Sequence, residues 1–162
     1  MNPPVDKGCG MWLGSTALTE VSGPRRSRWR GRVSLRRVSS KFDERDLERL
    51  LRSEADVSAF ALGEFQLNID AYANPAAVFV DVNGVLHSSP HDLPGSAILG
   101  VEGSDYEIDS LDFSTSNPVI VSIAKLKRRG TESAPKSIVW TKTWQFTGKA
   151  WRILSSHASW SH

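Results

Sequence analysis

A change of rhythm constrains this 162-residue chain more than any other feature: apolar residues recur every third or fourth position up to about residue 62, then every second position from about residue 76. Leu47, Leu50, Leu51, Ala55, Ala59 and Leu62 keep helical spacing, while Glu44, Arg45, Glu48, Arg49 and Arg52 occupy the other side. Asp43 is a good N-cap, Asp46 stands at the third helical position, and Phe42 and Leu47 are spaced for a hydrophobic staple. The pattern predicts a helix that starts at Asp43 and stops at Gly63, since glycine accepts the left-handed conformation after a last turn. A shorter helix is predicted around Phe65 to Tyr72, closed by Asn74-Pro75, because the residue before a proline is disfavoured in helical geometry.

Beyond it, Ala77-Val78-Phe79-Val80-Asp81, a turn at Asn83-Gly84 and Val85-Leu86-His87 read as a hairpin with a tight primed turn, for which Asn-Gly supplies the positive φ angles. Residues 89–103, punctuated by Pro90, Pro94, Gly95, Gly100 and Gly103, form a long connection with room for one helical turn. Strands are predicted at about 105–114, 118–128, 137–146 and 151–160. In the third of these, Ile138, Trp140, Trp144 and Phe146 share one face and Val139, Thr141, Thr143 and Gln145 the other, so both faces meet something. Helices followed by a run of strands make an α+β arrangement, a curved antiparallel sheet wrapped around two or three N-terminal helices. Its opposite face, with Thr and Gln beside apolar residues, suits a partner subunit.

Charge divides the chain. The 20 basic and 18 acidic residues nearly balance, yet residues 1–42 hold nine basic against two acidic, leaving eleven against sixteen in the remainder. Residues 1–41, rich in Gly, Pro, Ser and Arg and without a sustained period, read as a disordered basic N-terminal tail ahead of one domain, 42–162. Such a start fits a targeting segment, a phosphate-binding arm or an extension with no ordered role. Nucleic acid is expected to be engaged, if at all, only through that tail, because the domain itself is acidic. Cys9 has no second cysteine to pair with and reads as an incidental surface thiol, so a reducing, cytoplasmic compartment is expected. No apolar run approaches the ~18 residues of a membrane-spanning helix, and no membrane partner is expected.

Three stretches carry a family likeness: Ala59-Phe60-Ala61-Leu62-Gly63-Glu64, then Tyr72 through Gly84, then Gly148 through Ser159, where a Gly and Trp151 precede apolar residues and a His-x-Ser. In this order, over about 120 residues from Asp43, the chain resembles the nuclear transport factor 2-like superfamily and its SnoaL-like and ketosteroid isomerase-like members, a cone-shaped α+β fold. The resemblance implies a pocket opening into the cone between sheet and helices, and a homodimer packed through the sheets. It implies a general-base carboxylate near an Asp-x-x-Gly turn, for which Asp81 in Asp81-Val82-Asn83-Gly84 is the candidate. Counting without gaps from Gly63 puts Val80 there instead, and a slip of one residue reverses the face. The family's oxyanion donors, a helix tyrosine and a strand aspartic acid, fall approximately on Asp56 and Val139, neither of which replaces its counterpart directly.

His157 follows Trp151, Ile153 and Ser155 in phase, which would turn it into the cone as a partner for Asp81 or Asp112; the plainer alternative is an internally hydrogen-bonded histidine. Trp140, Trp144, Tyr106, Phe79 and Phe113 could wall a substrate site for a small hydrophobic ligand, or simply form core. His87 and His91 have the four-residue spacing of helical metal ligands, but Ser88-Ser89-Pro90 keeps them off one helical face, so no metal site is expected. Glu102, Asp105, Glu107, Asp109 and Asp112 are split by strand alternation between two faces. No Walker loop, dinucleotide fingerprint, Gly-x-Ser-x-Gly elbow or paired cysteines seats a common cofactor, and none is expected. Two functions follow: a cofactor-independent isomerase, cyclase or dehydratase using Asp81 and His157 for proton transfer, or a non-catalytic ligand-binding or dimerisation module of the same fold.

Overall fold

A computed structural model describes residues 13–16, 32–36, 42–88, 90–116, 118–130 and 136–161. Two strands precede the first helix, β1 (Leu13–Thr16) and β2 (Arg32–Arg36), paired with each other. Both fall within residues 1–41, expected as a basic tail; the rest of that stretch, Cys9 included, lies outside the described residues.

Helix α1 (Glu44–Ala61) forms where the spacing places it. The Asp43 carboxylate accepts the Asp46 amide at 2.9 Å and the Asp46 carboxylate accepts the Asp43 amide at 3.4 Å, a reciprocal cap on two otherwise unpaired donors. Past the Leu62 cap, Gly63 turns the chain with φ of +75°. The anticipated second helix is reduced to a 3-10 turn, Ile69–Ala71, because Ile69 alone is buried between residues 65 and 71 and no apolar stripe holds a longer helix down. The long connection contains α2 (Gly95–Leu99) and a second 3-10 turn, Gly103–Asp105. Both glycines that open these turns touch the end of α1: a Cβ on Gly103 would lie 2.7 Å from Leu62 Cα, and one on Gly95 would be 3.1 Å from the Phe60 carbonyl carbon. Among the described residues no helix is long and apolar enough to cross a membrane.

Six further strands follow: β3 (Ala73–Val80), β4 (Leu86–His87), β5 (Tyr106–Ser116), β6 (Val119–Arg128), β7 (Ser137–Phe146) and β8 (Trp151–Ser161). They form one sheet in the order β1-β2-β5-β6-β7-β8-β3-β4. The pairs β2–β5 and β3–β8 run parallel and the rest antiparallel, so the curved sheet is mixed. Extra residues at Asp109 in β5 and Leu154 in β8 break the registers, and such bulges add twist and bend. The β3–β4 connection is wider than the primed turn anticipated: Gly84 N–H donates to Asp81 C=O at 2.9 Å, and of the Asn-Gly pair only Gly84 takes a positive φ.

The concave face carries Leu111, Phe113, Ile120, Ala124, Ile138, Trp140, Trp144 and Ile153, all fully buried, and Leu50 and Val57 of α1 with Ile98 and Leu99 of α2 complete the core. This is the α+β cone expected from the sequence. Trp151 ties sheet to helix by donating Nε1–H to the Asp46 carbonyl at 2.7 Å, and Phe42 packs on its ring at 4.9 Å.

Candidate functional site

Three polar residues interrupt the apolar stripes that line the cone. Glu54 holds a core position of α1 between Leu50 and Val57, Ser122 stands between Ile120 and Ala124 on β6, and Lys142 stands between Trp140 and Trp144 on β7. All three are fully buried, and they converge. Lys142 Nζ lies 2.7 Å from Glu54 Oε1. Ser58, one turn further along α1, donates its hydroxyl to the same oxygen at 3.2 Å. Ser122 donates to Glu54 Oε2 at 2.8 Å, and Trp144 Nε1–H is shared at 3.0 Å between that oxygen and Ser122 Oγ. The carboxylate therefore meets three neutral donors and one ammonium.

The ammonium is less well supplied. Beyond the ion pair no acceptor is aligned with it, and Nζ rests 3.1 Å from the centre of the Trp140 ring, whose face offers partial compensation. Trp140 Nε1–H is itself fixed by Ser156 Oγ at 2.7 Å. Burial pushes the Lys142 pKa below the usual amine value, and the attraction of Glu54 offsets only part of that. Chemically, the cone interior holds a buried carboxylate and ammonium in contact, with burial making the ammonium's proton easier to remove than it is in water.

Neither residue was singled out by the sequence reading, and the two that were do not meet. Asp81 is buried at the β3–β4 turn, where Oδ1 accepts the Asn83 and Val85 amides at 2.8 and 3.1 Å and Oδ2 lies 3.3 Å from His87 Nε2. Desolvation alone would raise its pKa, but the amides of Val85 and Asn83, with His87, outweigh it and hold the carboxyl below its ordinary value. Asn83 Nδ2 and Val82 N then bond Gly100 and Leu99 carbonyls at 3.0 Å each, so the turn fastens β3 to the end of α2.

His157 corrects a second expectation. Trp151 and Ile153 face the cone as anticipated, but the bulge at Leu154 shifts the phase, so Ser156 and Ala158 point inward while Ser155 and His157 are exposed on the outer face. Asp81 is consequently paired with His87, not His157. Of the expected aromatic wall, Trp140, Trp144, Phe79 and Phe113 are fully buried and Tyr106 is 7% exposed. His87 and His91 diverge: His91 Nδ1 sits 2.7 Å from Asp70 and Nε2 3.1 Å from Asp92. Asp112 shares the outer face with His157, three strands away.

No family model matches the chain, and no curated protein matches it in sequence. Solved structures do. A protein of unknown function from the DUF3225 family of Pectobacterium atrosepticum is 15% identical, with a TM-score of 0.51 over 73% of this chain and 90% of its own. A cystatin-like fold protein from Burkholderia xenovorans is 11% identical, with a TM-score of 0.49 over 73% and 93%. An NTF2-like protein with a cystatin-like fold from Novosphingobium aromaticivorans is 12% identical, with a TM-score of 0.46 over 71% and 81%. At 15% identity the likeness to the first of these structures is one of fold alone.

Two outcomes follow. Lys142→Met leaves the Glu54 charge buried and is expected to cost about 3–5 kcal/mol in denaturant unfolding, whereas the double variant Glu54→Met/Lys142→Met recovers most of that loss; a double variant that loses the sum of the Glu54→Met and Lys142→Met losses would show that the two side chains act independently. Asp81→Asn is expected to cost about 1–2 kcal/mol near neutral pH. Because the folded pKa of Asp81 lies below 3.8, its contribution is complete above that pH and is lost as pH falls through the folded value, so the gap between wild type and Asp81→Asn should close in acid.

Proposed function

We propose that this domain is an assembly module that forms a homodimer through the outer face of its sheet. One observation carries the reading. A single row across that face runs Asp112, Ile123, Thr141, His157, Val80, Leu86, each paired with the next on the neighbouring strand. Ile123 is 40% exposed and Leu86 is 61% exposed, two of the three large apolar side chains so exposed among the described residues. The rows beside it add Val78, Val121, Val139 and Thr143, all half-buried. Six strands at ~4.8 Å and about 20 Å of strand length give a footprint of roughly 500 Å². A pleated surface buries more than its footprint, which approaches the roughly 800 Å² per partner of a standard interface. Residues that would do chemistry under the enzymatic alternative are apart, one locked in a turn and one on this outer face.

The full-length chain is expected to sediment as a dimer at micromolar concentration. Ile123→Glu should raise the dimer dissociation constant roughly 30-fold or more with an unchanged circular dichroism spectrum; a wild-type chain that sediments as a monomer would overturn the reading.

A second reading, a pocket protein that moves a proton on a small hydrophobic molecule without a cofactor, is favoured by one observation, the burial-lowered pKa of Lys142 beside Glu54. Under it these two side chains, not Asp81 and His157, form the acid–base pair. Native mass spectrometry is then expected to find a small molecule retained by the wild-type chain and lost from Lys142→Met; bare mass in both would count against it.

A further inference from the structure

We propose that His91 is a pH-operated latch: as an imidazolium it fastens the strap at residues 90–94, between β4 and α2, to the 3-10 turn Ile69–Ala71, and on losing its proton it releases that strap from the edge of the sheet. The latch uses none of the residues assigned to the dimer face or to the Glu54–Lys142 pair.

Two carboxylates hold the two nitrogens of one ring. His91 Nδ1 lies 2.7 Å from Asp70 Oδ2, and Nε2 lies 3.1 Å from Asp92 Oδ2. A neutral imidazole has one N–H and one lone pair, so it can serve only one of these carboxylates and turns its lone pair on the other; the cation donates to both. Geometry alone therefore calls for the protonated ring. The Asp70 hydrogen bond, followed by the charges of Asp92 and Asp70, holds the imidazole pKa above its ordinary 6.5.

The two ends of the latch differ in firmness. Asp70 belongs to the body: its amide donates to Asn68 Oδ1 at 3.0 Å, the adjoining Ile69 is buried, and Arg152 of β8 donates Nη1 to the Asp70 and Ala71 carbonyls. The second carboxylate oxygen of Asp70, Oδ1, is buried with no hydrogen-bond partner among the described residues, so the hydrogen bonding of that carboxylate rests on His91. The strap end is loose. Pro90 is buried but His91, Asp92 and Pro94 are exposed, and the β3–β4 ladder ahead of them is two residue pairs long. Asp92 is also the one non-glycine residue with a positive φ among those described, +56°, a left-handed conformation that a Cβ makes costly. Its contact with His91 offsets that strain, and release relieves it. The other histidine beside the strap, His87, is engaged with Asp81 at 3.3 Å.

The pH dependence has a definite sign. The latch is complete below pH 6.5 and is lost as pH rises through the folded-state pKa of His91, which lies higher. Asp81 runs the other way, since its contribution fades in acid, so the two histidine–aspartate contacts beside β4 are separable by titration. Because His91 is 74% exposed, salt screens the latch and its replacement leaves the core intact.

Amide hydrogen exchange on the full-length chain at low salt tests the latch. It is read at Leu93, whose N–H donates to the Pro90 carbonyl at 3.1 Å, with residues 140–144 of β7 as the reference for global opening. Protection at Leu93, corrected for the intrinsic rate, is expected to fall at least threefold between pH 5.5 and 8.5 while β7 is unchanged. His91→Gln is expected to be equally open at both pH values, Asp70→Asn to move the fall to lower pH, and His87→Gln to keep it. Protection at Leu93 that is flat with pH in the wild type, a fall that survives in His91→Gln or vanishes in His87→Gln, or an equal fall in β7 overturns the latch.

Discussion

The buried ion pair between Glu54 and Lys142 is the constraint on which the rest of the interior depends. Taking two charges out of water costs several kcal/mol per ion, and mutual attraction repays that only where the remaining hydrogen-bonding capacity is filled. Here it is filled asymmetrically: Ser58, Ser122 and Trp144 serve the carboxylate, while the ammonium has Glu54 and the face of Trp140. Meeting those terms fixes geometry. A helix turned by one residue would swing Glu54 away from the sheet, and β7 slipped by one residue would put Thr141 and Thr143 where Trp140, Lys142 and Trp144 now stand. A purely apolar interior would resist such slips only through shape. The pair therefore sets the rotation of α1 against the register of β6 and β7, and the aromatic rings pack around that setting.

Much of this was legible in the sequence because it depends on period and on local chemistry. The α1 cap at Asp43, its stop at Gly63 and the four long strands fall within two residues of their expected limits, since each is written in consecutive side chains. The polar core was also written there, in a form that reading element by element misses. Glu54 is in phase with Leu50 and Val57, Ser122 with Ile120 and Ala124, and Lys142 with Trp140 and Trp144. One polar residue in an apolar stripe is unremarkable; three, on three elements and including both signs of charge, are a demand for one another. Strand β2 had a similar weak signal, Val33 and Leu35 alternating with Arg32, Ser34 and Arg36, too short to stand out from its Arg- and Ser-rich surroundings.

The bulge at Leu154 was not legible, because nothing in Ile153-Leu154-Ser155-Ser156 distinguishes a strand with one extra residue from a regular one. Pairing decides it. Trp144 opposes Ile153 while Thr143 opposes Ser155, so the register of β7 forces the extra residue onto β8. Continued alternation from Trp151 through Ile153 would have brought His157 inward and left Ser156 outside. The inward reading of His157 thus rests on a phase that holds for the first three residues of the strand and fails for the rest.

That one extra residue links the two faces of the sheet. By turning Ser156 inward it supplies the acceptor for Trp140 Nε1, which holds the ring against which the Lys142 ammonium rests. By the same shift it turns His157 outward, onto the row that carries Asp112, Ile123 and Leu86. An inward His157 would have placed a third ionisable group beside Glu54 and Lys142, and a buried site that already leaves its ammonium without an aligned acceptor has little capacity to satisfy another. Satisfaction of the interior and the chemistry offered to a partner are consequently set together by the register between β7 and β8.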